Sequence, residues 1–193
     1  ALFRERARNL RFSAAAMMNT GKFTNYSIQY TLQSAPGQTN FVTYAPGVAA
    51  CVCEACVHYI ERIGKQPGPM LEDYQEVIAA FDVYVAVEGD RVVGTIVLKA
   101  TDDEFHVDNV SVRPAVKGKG VGRLLLQLAE EEAVRHGYAS VCLATHELMV
   151  ENRALYERIG SVQYDRRIVD GYPRVFFRKA LRPEPAGDAV EER

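Results

Sequence analysis

A glycine-rich turn flanked by basic residues is the part of the sequence best suited to binding an anion. It consists of Lys117, Gly118, Lys119, Gly120, Val121, Gly122 and Arg123. An apolar stripe at helical spacing begins directly after it, and the first amides of a helix have no partners within the helix. Those amides and the positive end of the helix dipole favour a bound anion such as a pyrophosphate. A tight connection between two elements also uses glycine, so the turn alone leaves both interpretations open.

Two better-known phosphate-binding turns do not match this spacing. The nucleotide P-loop places four residues between its glycines and ends in Gly-Lys-Ser or Gly-Lys-Thr. The dinucleotide fingerprint is Gly-x-Gly-x-x-Gly in an early βαβ unit, with an acidic residue about 20 residues further on. Here the glycines alternate at Gly118, Gly120 and Gly122, and the turn follows a predicted antiparallel meander. The turn therefore belongs to neither class.

The elements that must position this turn alternate between strand and helix patterns. Short apolar or β-branched runs predict strands at Asn40–Tyr44, Val83–Val87, Val92–Leu98, Phe105–Val112, Ser140–Ala144, Val162–Val169 and Arg174–Lys179. Helical spacing predicts helices at Val48–Ile63, Met70–Ala80, Gly120–His136 and Leu148–Ile159. This order predicts an α/β fold with a mixed, mostly antiparallel seven-stranded sheet and helices on both faces.

Length and composition limit the remaining possibilities. The 193 residues suit one domain at residues 38–181, followed by a tail at 182–193 that we expect to be disordered. Residues 1–37 are expected to be a partly disordered extension, or to add a strand at Tyr26–Leu32. The net charge of -2 argues against nucleic acid as a partner, and no apolar run approaches the roughly 18 residues of a membrane span. A soluble, cytoplasmic protein is expected, although the Arg-rich residues 1–18 leave an organellar transit peptide or an upstream extension as alternatives.

Three of the four cysteines superficially resemble a metal motif. Cys51, Cys53 and Cys56 lie in a predicted helix, where only Cys53 and Cys56 would share a face. No second pair with zinc spacing follows along the chain. We therefore predict no metal site, and reduced thiols of the kind found in intracellular proteins.

In this context of strands and helices, the turn resembles motif A of the Gcn5-related N-acetyltransferase (GNAT) superfamily. The family pattern, Gln/Arg-x-x-Gly-x-Gly/Ala, falls on Lys117, Gly120 and Gly122, with Lys117 departing from it. The resemblance implies that acetyl-CoA is the co-substrate and that a bulge splays two parallel strands beside it. It assigns the pyrophosphate to the turn and the pantetheine to the preceding strand. The coenzyme contacts it implies are Val110, Ser111, Val112, Lys117, Gly118, Lys119, Gly120, Val121, Gly122 and Arg123.

The segment from Glu151 to Gly160 resembles motif B of the same family, an Asn-containing helix that ends in Tyr and then Gly. The resemblance implies that Tyr156 donates a proton to the leaving thiolate, whereas the alternative is that Tyr156 only packs. Many members have Asn where this chain has Met149, so Asn152, one helical turn before Tyr156, is a candidate for part of that coenzyme contact. Phe is usual in the family at the position of Ser161.

The reaction that the resemblance implies is direct attack of a free amine on the thioester. A backbone N–H near Val110 is the expected donor to the oxyanion. The base that takes the amine proton stays open among five side chains near strand ends: His106, Asp108, His146, Glu147 and Glu151. His106 and Asp108 are expected to share one face of their strand.

The acceptor is expected between the first two helices, with their connection, and the last hairpin. Glu61, Glu72 and Asp73 would attract a cationic amine there, or would form an ordinary exposed face. The predicted activity is transfer of an acetyl group to a primary amine of a small molecule or peptide. The alternatives are a catalytically silent acetyl-CoA sensor of the same fold and a transferase for a longer acyl-CoA. A homodimer is left open.

Overall fold

The computed structural model of the chain describes residues 27–30 and 40–181. The predicted tail at 182–193 and most of the predicted extension at 1–37 lie outside the described residues. Within the extension, the strand predicted at Tyr26–Leu32 is present as β1 at Ser27–Tyr30.

A single mixed sheet organises the fold. Its strands are β1 at Ser27–Tyr30, β2 at Asp82–Glu88, β3 at Arg91–Ala100, β4 at Phe105–Val112, β5 at Ser140–His146, β6 at Val162–Val169 and β7 at Tyr172–Ala180. Their order across the sheet is β1-β2-β3-β4-β5-β7-β6. The pair β4 and β5 is parallel, and the other neighbouring pairs are antiparallel. Six strands lie within residues 38–181, one fewer than the sequence predicts there.

The missing strand is helical. Residues 40–44, predicted as a strand, form the first turn of α1 at Asn40–Cys56. The prediction is wrong because a short β-branched run is outweighed by the longer apolar face that follows. Ala45, Val48 and Val52 on that face are 3%, 0% and 0% exposed.

Four further α-helices lie in the described part of the chain and complete the layers. They are α2 at Ile60–Ile63, α3 at Tyr74–Ala80, α4 at Val121–Arg135 and α5 at Val150–Arg158. Short 3₁₀ turns lie at Val57–Tyr59, Gly68–Leu71 and Pro114–Val116. The first predicted helix is thus broken after Cys56, and the second begins four residues late, where the Asp73 side chain caps α3 by accepting from the Gln75 N–H at 2.8 Å. Within the described part of the chain, no helix combines the length and the apolar character needed to cross a membrane.

The cysteine side chains of α1 differ in burial. Cys51 and Cys56 are buried, whereas Cys53 is exposed. Among the described residues, no three His, Cys, Asp or Glu side chains lie together in a way that could hold a metal ion.

The helices cover both faces of the sheet, as the sequence predicts. Alternate residues of β2 enter two different cores: Val83 and Val85 pack with α1 and α3, whereas Tyr84 and Ala86 pack with α4. Full burial of one such aliphatic side chain contributes roughly 1.5–3 kcal/mol. The sheet is therefore a rigid central layer on which the site residues are mounted.

A bulge in β4 and the separation of β4 from β5 create the cleft that the resemblance implies. The register between β3 and β4 shifts, so that Asp108 is an extra residue between Val107 and Asn109. The parallel pairing of β4 with β5 covers only Phe105 to Val107, and the two strands then diverge. Beyond Val107, no strand of the described residues pairs with the edge of β4 that faces β5.

The same bulge reverses the alternation of side chains along β4. Val107 packs in the core beneath α4, and after the bulge it is Val110 that packs against that core. Asn109 is buried on the opposite side, where its Nδ2 donates to the Tyr74 hydroxyl at 3.3 Å. Asp108 pairs with Lys99 at 3.0 Å, and Lys99 stands opposite His106 in the register of β3 and β4. His106 and Asp108 therefore lie on one side of the sheet, as the sequence predicts.

The start of α4 rests closely on β3 because Gly94 has no side chain. A Cβ at Gly94 would stand 2.8 Å from Cγ1 of Val121 and 3.1 Å from Cδ1 of Leu125. This close approach fixes the first turn of α4, and with it the glycine-rich turn, against the sheet.

Candidate active site

The glycine-rich turn has the backbone geometry of an anion cradle. Gly118 and Gly120 have φ values of 81° and 89°, which residues with a Cβ rarely adopt. The first bond of α4 runs from the Leu124 N–H to the Gly120 oxygen at 3.0 Å. The amides of Gly122 and Arg123 precede that bond and have no partner within the helix. The positive end of the helix dipole lies behind them, so a pyrophosphate fits this turn.

A buried arginine anchors the start of the turn, and sequence reasoning did not identify it. Arg113 is 5% exposed, its Nε donates to the Val92 oxygen at 2.6 Å, and its Nη1 donates to Glu54. These bonds tie the end of β4 to β3 and α1. Arg113 precedes Pro114 and belongs to no motif, so the sequence did not indicate that it anchors the turn.

A cavity of about 580 Å³ occupies the cleft where β4 and β5 diverge. Every predicted coenzyme residue except Lys119 lines it, from the edge of β4 through the turn to Asn152 on α5. Tyr156 lines the same space, which continues past it toward the hairpin of β6 and β7. The structure thus joins the two predicted motifs in one cavity.

Tyr156 is mounted rigidly on α5. It is 5% exposed, and its ring packs on Phe177 with the centroids 5.7 Å apart. No hydrogen bond to its hydroxyl is present among residues 44–181. Burial raises the pKa of Tyr156, and the nearby Tyr59 and Cys56 raise it further. The group is therefore a neutral phenol at ordinary pH, with its proton available to a partner in the cavity.

A second phenol lines the same cavity. The Tyr59 hydroxyl donates to Oδ1 of Asn152 at 3.5 Å, and burial raises the pKa of Tyr59 to about 12. Met149 also lines the cavity, and its sulfur accepts from Asn152 at 3.6 Å and from the Thr145 hydroxyl at 3.4 Å. The side chain that replaces the family's usual Asn is thus in contact with Asn152. The sequence placed Tyr59 in the segment expected to border the acceptor but indicated no chemical role for its hydroxyl, because a lone Tyr in a helix carries no such signal.

The five candidate bases fall into two groups. Asp108, His146 and Glu151 line the cavity, whereas His106 and Glu147 do not. His106 lies 2.8 Å from a Glu104 oxygen, and Glu147 lies 3.5 Å from an Arg166 nitrogen.

Among the three that line the cavity, two are already engaged in ways that reduce their basicity. Arg62 donates to both oxygens of Glu151, at 3.0 and 2.8 Å, and these bonds lower the pKa of that carboxyl to about 2. Nδ1 of His146 accepts from the Leu148 N–H at 3.1 Å, and burial lowers the pKa of His146. The neutral imidazole therefore carries its hydrogen on Nε2. Asp108, at the bulge, is paired with Lys99 at 3.0 Å and is 40% exposed.

The far end of the cavity is closed by the Gly64–Pro69 connection and the β6–β7 hairpin. The Tyr172 hydroxyl donates to the Gln66 oxygen at 2.6 Å, and Lys65 donates to the Gly171 oxygen at 2.9 Å. None of Glu61, Glu72 and Asp73 lines this cavity. The side chain of Arg174 does line it. Of these three acids, Glu72 lines a small recess beside the cavity, and Glu61 and Asp73 line neither.

The fold and this cavity correspond to a family of transferases. A model of the acetyltransferase (GNAT) family matches residues 55–160, which is more than half of the chain. The protein therefore belongs to the acetyltransferase (GNAT) family. The matched segment includes the glycine-rich turn and Tyr156.

The individual proteins that resemble this chain either match only part of it or have low sequence identity. Human N-acetylaspartate synthetase is 34% identical over 79 residues, which are 40% of this chain and 26% of that protein. The rat protein of the same name is 33% identical over 79 residues, again 26% of its length. The match thus spans about a quarter of the length of these relatives. An acetyltransferase from Streptococcus agalactiae has a TM-score of 0.66 and 18% identity, covering 82% of this chain and 100% of that chain.

The fold is similarly close to that of a structure solved with a coenzyme. It is the PaiA N-acetyltransferase from Thermoplasma acidophilum in complex with coenzyme A, with a TM-score of 0.62 and 16% identity. The alignment covers 80% of this chain and 99% of that chain. At such identities, these likenesses establish a shared fold.

Proposed function

We propose that this protein transfers an acetyl group from acetyl-CoA to a primary amine of a small molecule or peptide. The observation that carries the proposal is the continuity of one cavity from the glycine-rich turn, past Tyr156, to the Arg174 end. A donor and an acceptor can occupy its two ends at once and meet near Tyr156. The fold shared with a coenzyme A-bound acetyltransferase supports the same assignment.

The residues of the turn and of β4 hold the donor. The amides of Gly118 to Arg123 receive the pyrophosphate, and Lys117 and Arg123 add positive charge beside it. The free edge of β4 from Val110 to Val112 offers backbone groups to the pantetheine arm. Asn152 contacts Met149, and both side chains line the cavity proposed for the pantetheine arm.

Transfer needs a nucleophilic amine, a donor to the oxyanion and a proton for sulfur. The amine nitrogen attacks the thioester carbon, and a backbone N–H near Val110 stabilises the oxyanion. As the carbon–sulfur bond breaks, Tyr156 donates its proton to the sulfur, and the phenol is then reprotonated from solvent. The products from the neutral amine are the acetylated amine and the free thiol, because the proton lost by nitrogen balances the one that Tyr156 regains.

Asp108 is the carboxylate proposed to take the proton that the amine loses, directly or through water. It lines the cavity at the bulge, where its carboxylate is paired with Lys99. Glu151 is held by Arg62, and Nδ1 of His146 accepts from the Leu148 amide. Position favours Asp108, since the bulge at this residue lies where β4 separates from β5.

A turnover assay tests the proposal. Purified protein is incubated with acetyl-CoA and a panel of amines, and both thiol release and the mass of the product are measured. The panel includes L-aspartate, because the human relative is named as an N-acetylaspartate synthetase. We expect amine-dependent thiol release and a product heavier by one acetyl group.

Two other outcomes would replace the proposal. Tight coenzyme binding with no turnover of any amine would indicate an acetyl-CoA sensor. Turnover that appears only with longer acyl-CoA donors would indicate a different acyltransferase.

A further inference from the structure

We propose that Arg174 binds a carboxylate of the acceptor, and that the acceptor is a free amino acid rather than a peptide. This inference rests on the proposed function and names the substrate class of the same cavity. The argument starts from the charge and hydrogen bonding of the acceptor end.

Arg174 is a half-buried cation for which the described residues supply no hydrogen-bond acceptor. Its Nε is buried and has no hydrogen-bond partner, and among the described residues no carboxylate lies within ion-pair distance of its guanidinium. The guanidinium carbon is 5.9 Å from the ring centroid of Tyr172, and Nη2 would lie 3.3 Å from a Cβ placed on Gly68. Because buried charged donors are costly to leave unpaired, a ligand is the expected partner.

The neighbours of Arg174 reinforce the preference for an anion. His146 stands directly opposite it in the register of β5 and β7, with its hydrogen on Nε2. Cross-strand neighbours of this kind lie close enough to contact one ligand. Lys65 lies over the Tyr172 ring at 3.6 Å and is close enough to contribute to the lowered pKa of His146. Of the acidic residues that line the cavity, Glu151 is neutralised by Arg62.

Asp108 lies near Arg174, so the two residues favour an acceptor whose amine and carboxylate are close together. Asp108 and Arg174 both line the main cavity and also a small recess of about 60 Å³ beside it, which Glu72 lines as well. A guanidinium and a carboxylate on one recess match the carboxylate and the amine of an α-amino acid. The N-terminal residue of a peptide has an amide in place of that carboxylate, which leaves Arg174 unpaired.

The test compares carboxylates with matched carboxamides. The twenty common L-α-amino acids, their α-carboxamides and the corresponding amines without a carboxyl group are assayed with wild type and the Arg174→Gln variant. For the preferred amino acid, we expect wild-type kcat/KM to exceed that of its carboxamide by about tenfold or more. Arg174→Gln should lower kcat/KM for the acid by about tenfold or more, mainly through KM, and leave the carboxamide and the KM of acetyl-CoA unchanged.

Two further variants keep the test decisive. Arg166→Gln removes an arginine outside the cavity and should preserve the preference for the carboxylate. Arg174→Lys retains the charge and should retain part of the preference even if Arg174→Gln folds poorly.

Three results would overturn the inference. They are equal use of acids and carboxamides by wild type, equal losses on both in Arg174→Gln, and acetylation of amines without any of the amino acids being used. Absence of thiol release with every amine would instead reject the proposed function, and the inference with it.

Discussion

The backbone N–H of Leu148 donates to Nδ1 of His146 at 3.1 Å, directly after β5 separates from β4. This bond needs a lone pair on Nδ1, so it exists only while the imidazole is neutral. It therefore sets which nitrogen carries the hydrogen and presents a donor beside Arg174. A side chain that sequence reasoning placed among the candidate bases is, in the structure, better suited to hold an anion.

His146 should titrate below its ordinary pKa of 6.5, and its neutral form should carry the hydrogen on Nε2. Because burial lowers the folded-state pKa, the native protein binds fewer protons than the unfolded chain. The stabilising contribution of His146 is thus present above the unfolded pKa and is lost as pH falls through the folded pKa. Imidazole nitrogen shifts in an NMR titration, assigned with His146→Gln, measure both properties. A midpoint above 6.5, or hydrogen on Nδ1, would refute this account.

Removal of the Tyr156 hydroxyl should slow turnover without weakening coenzyme binding. A general acid typically contributes about 10²- to 10⁴-fold, so Tyr156→Phe should lower kcat by that order. The Kd for coenzyme A, measured by calorimetry, should stay within about twofold of wild type, because the ring remains on Phe177. Tyr59→Phe is the matched control, since it removes a second phenol from the same cavity. If Tyr59→Phe abolishes turnover while Tyr156→Phe retains it, the acid is Tyr59.

Phosphate binding by the glycine-rich turn can be tested by substituting two glycines that have the same backbone conformation but lie at opposite ends of α4. Gly120 and Gly137 have φ values of 89° and 83°, at the start and just after the end of α4. Gly120→Ala and Gly137→Ala should each cost about 1–2 kcal/mol of unfolding free energy in urea denaturation. Gly120→Ala alone should also weaken coenzyme A binding by about tenfold or more, because it disturbs the amides proposed to bind phosphate. Equal affinities for the two variants would argue against a phosphate at this turn.

Packing beneath the turn should be sensitive to one added methyl group. Gly94→Ala places a Cβ 2.8 Å from Val121, so we expect overpacking to lower the unfolding free energy by about 1–3 kcal/mol. Val121→Ala in the same chain should recover part of this loss, because it removes the clashing atom. A neutral Gly94→Ala variant, compared by urea denaturation, would show that the helix does not rest on β3 as closely as described.

Local sequence patterns were enough to predict most of the fold, and the glycine-rich turn that they indicated lines the main cavity. The strand at Phe105–Val112 and the helix that follows the turn are found within a residue of their predicted bounds. Both have strong periodic signals, and the turn between them has three glycines. Tyr156 was placed in the same cavity through its resemblance to a known motif, which carries information that periodicity lacks.

The structural features that could not be predicted from the sequence depend on contacts between distant segments. The bulge at Asp108 is a property of the register between β3 and β4, and nothing within β4 marks it. Arg174 stands opposite His146 because β7 lies between β5 and β6 in the sheet. Local sequence patterns do not specify this strand order. The helical state of residues 40–44 depends on the apolar face that follows them, so a five-residue window misassigned it.

A crystal structure with coenzyme A tests the central claim most directly. The claim is that the cleft between β4 and β5 is the coenzyme site, with the glycine-rich turn as its phosphate cradle. We expect pyrophosphate oxygens within hydrogen-bond distance of the amides of Gly120 and Gly122, and the thiol beside the Tyr156 hydroxyl. A pyrophosphate bound away from this turn, or a thiol remote from Tyr156, would contradict the account.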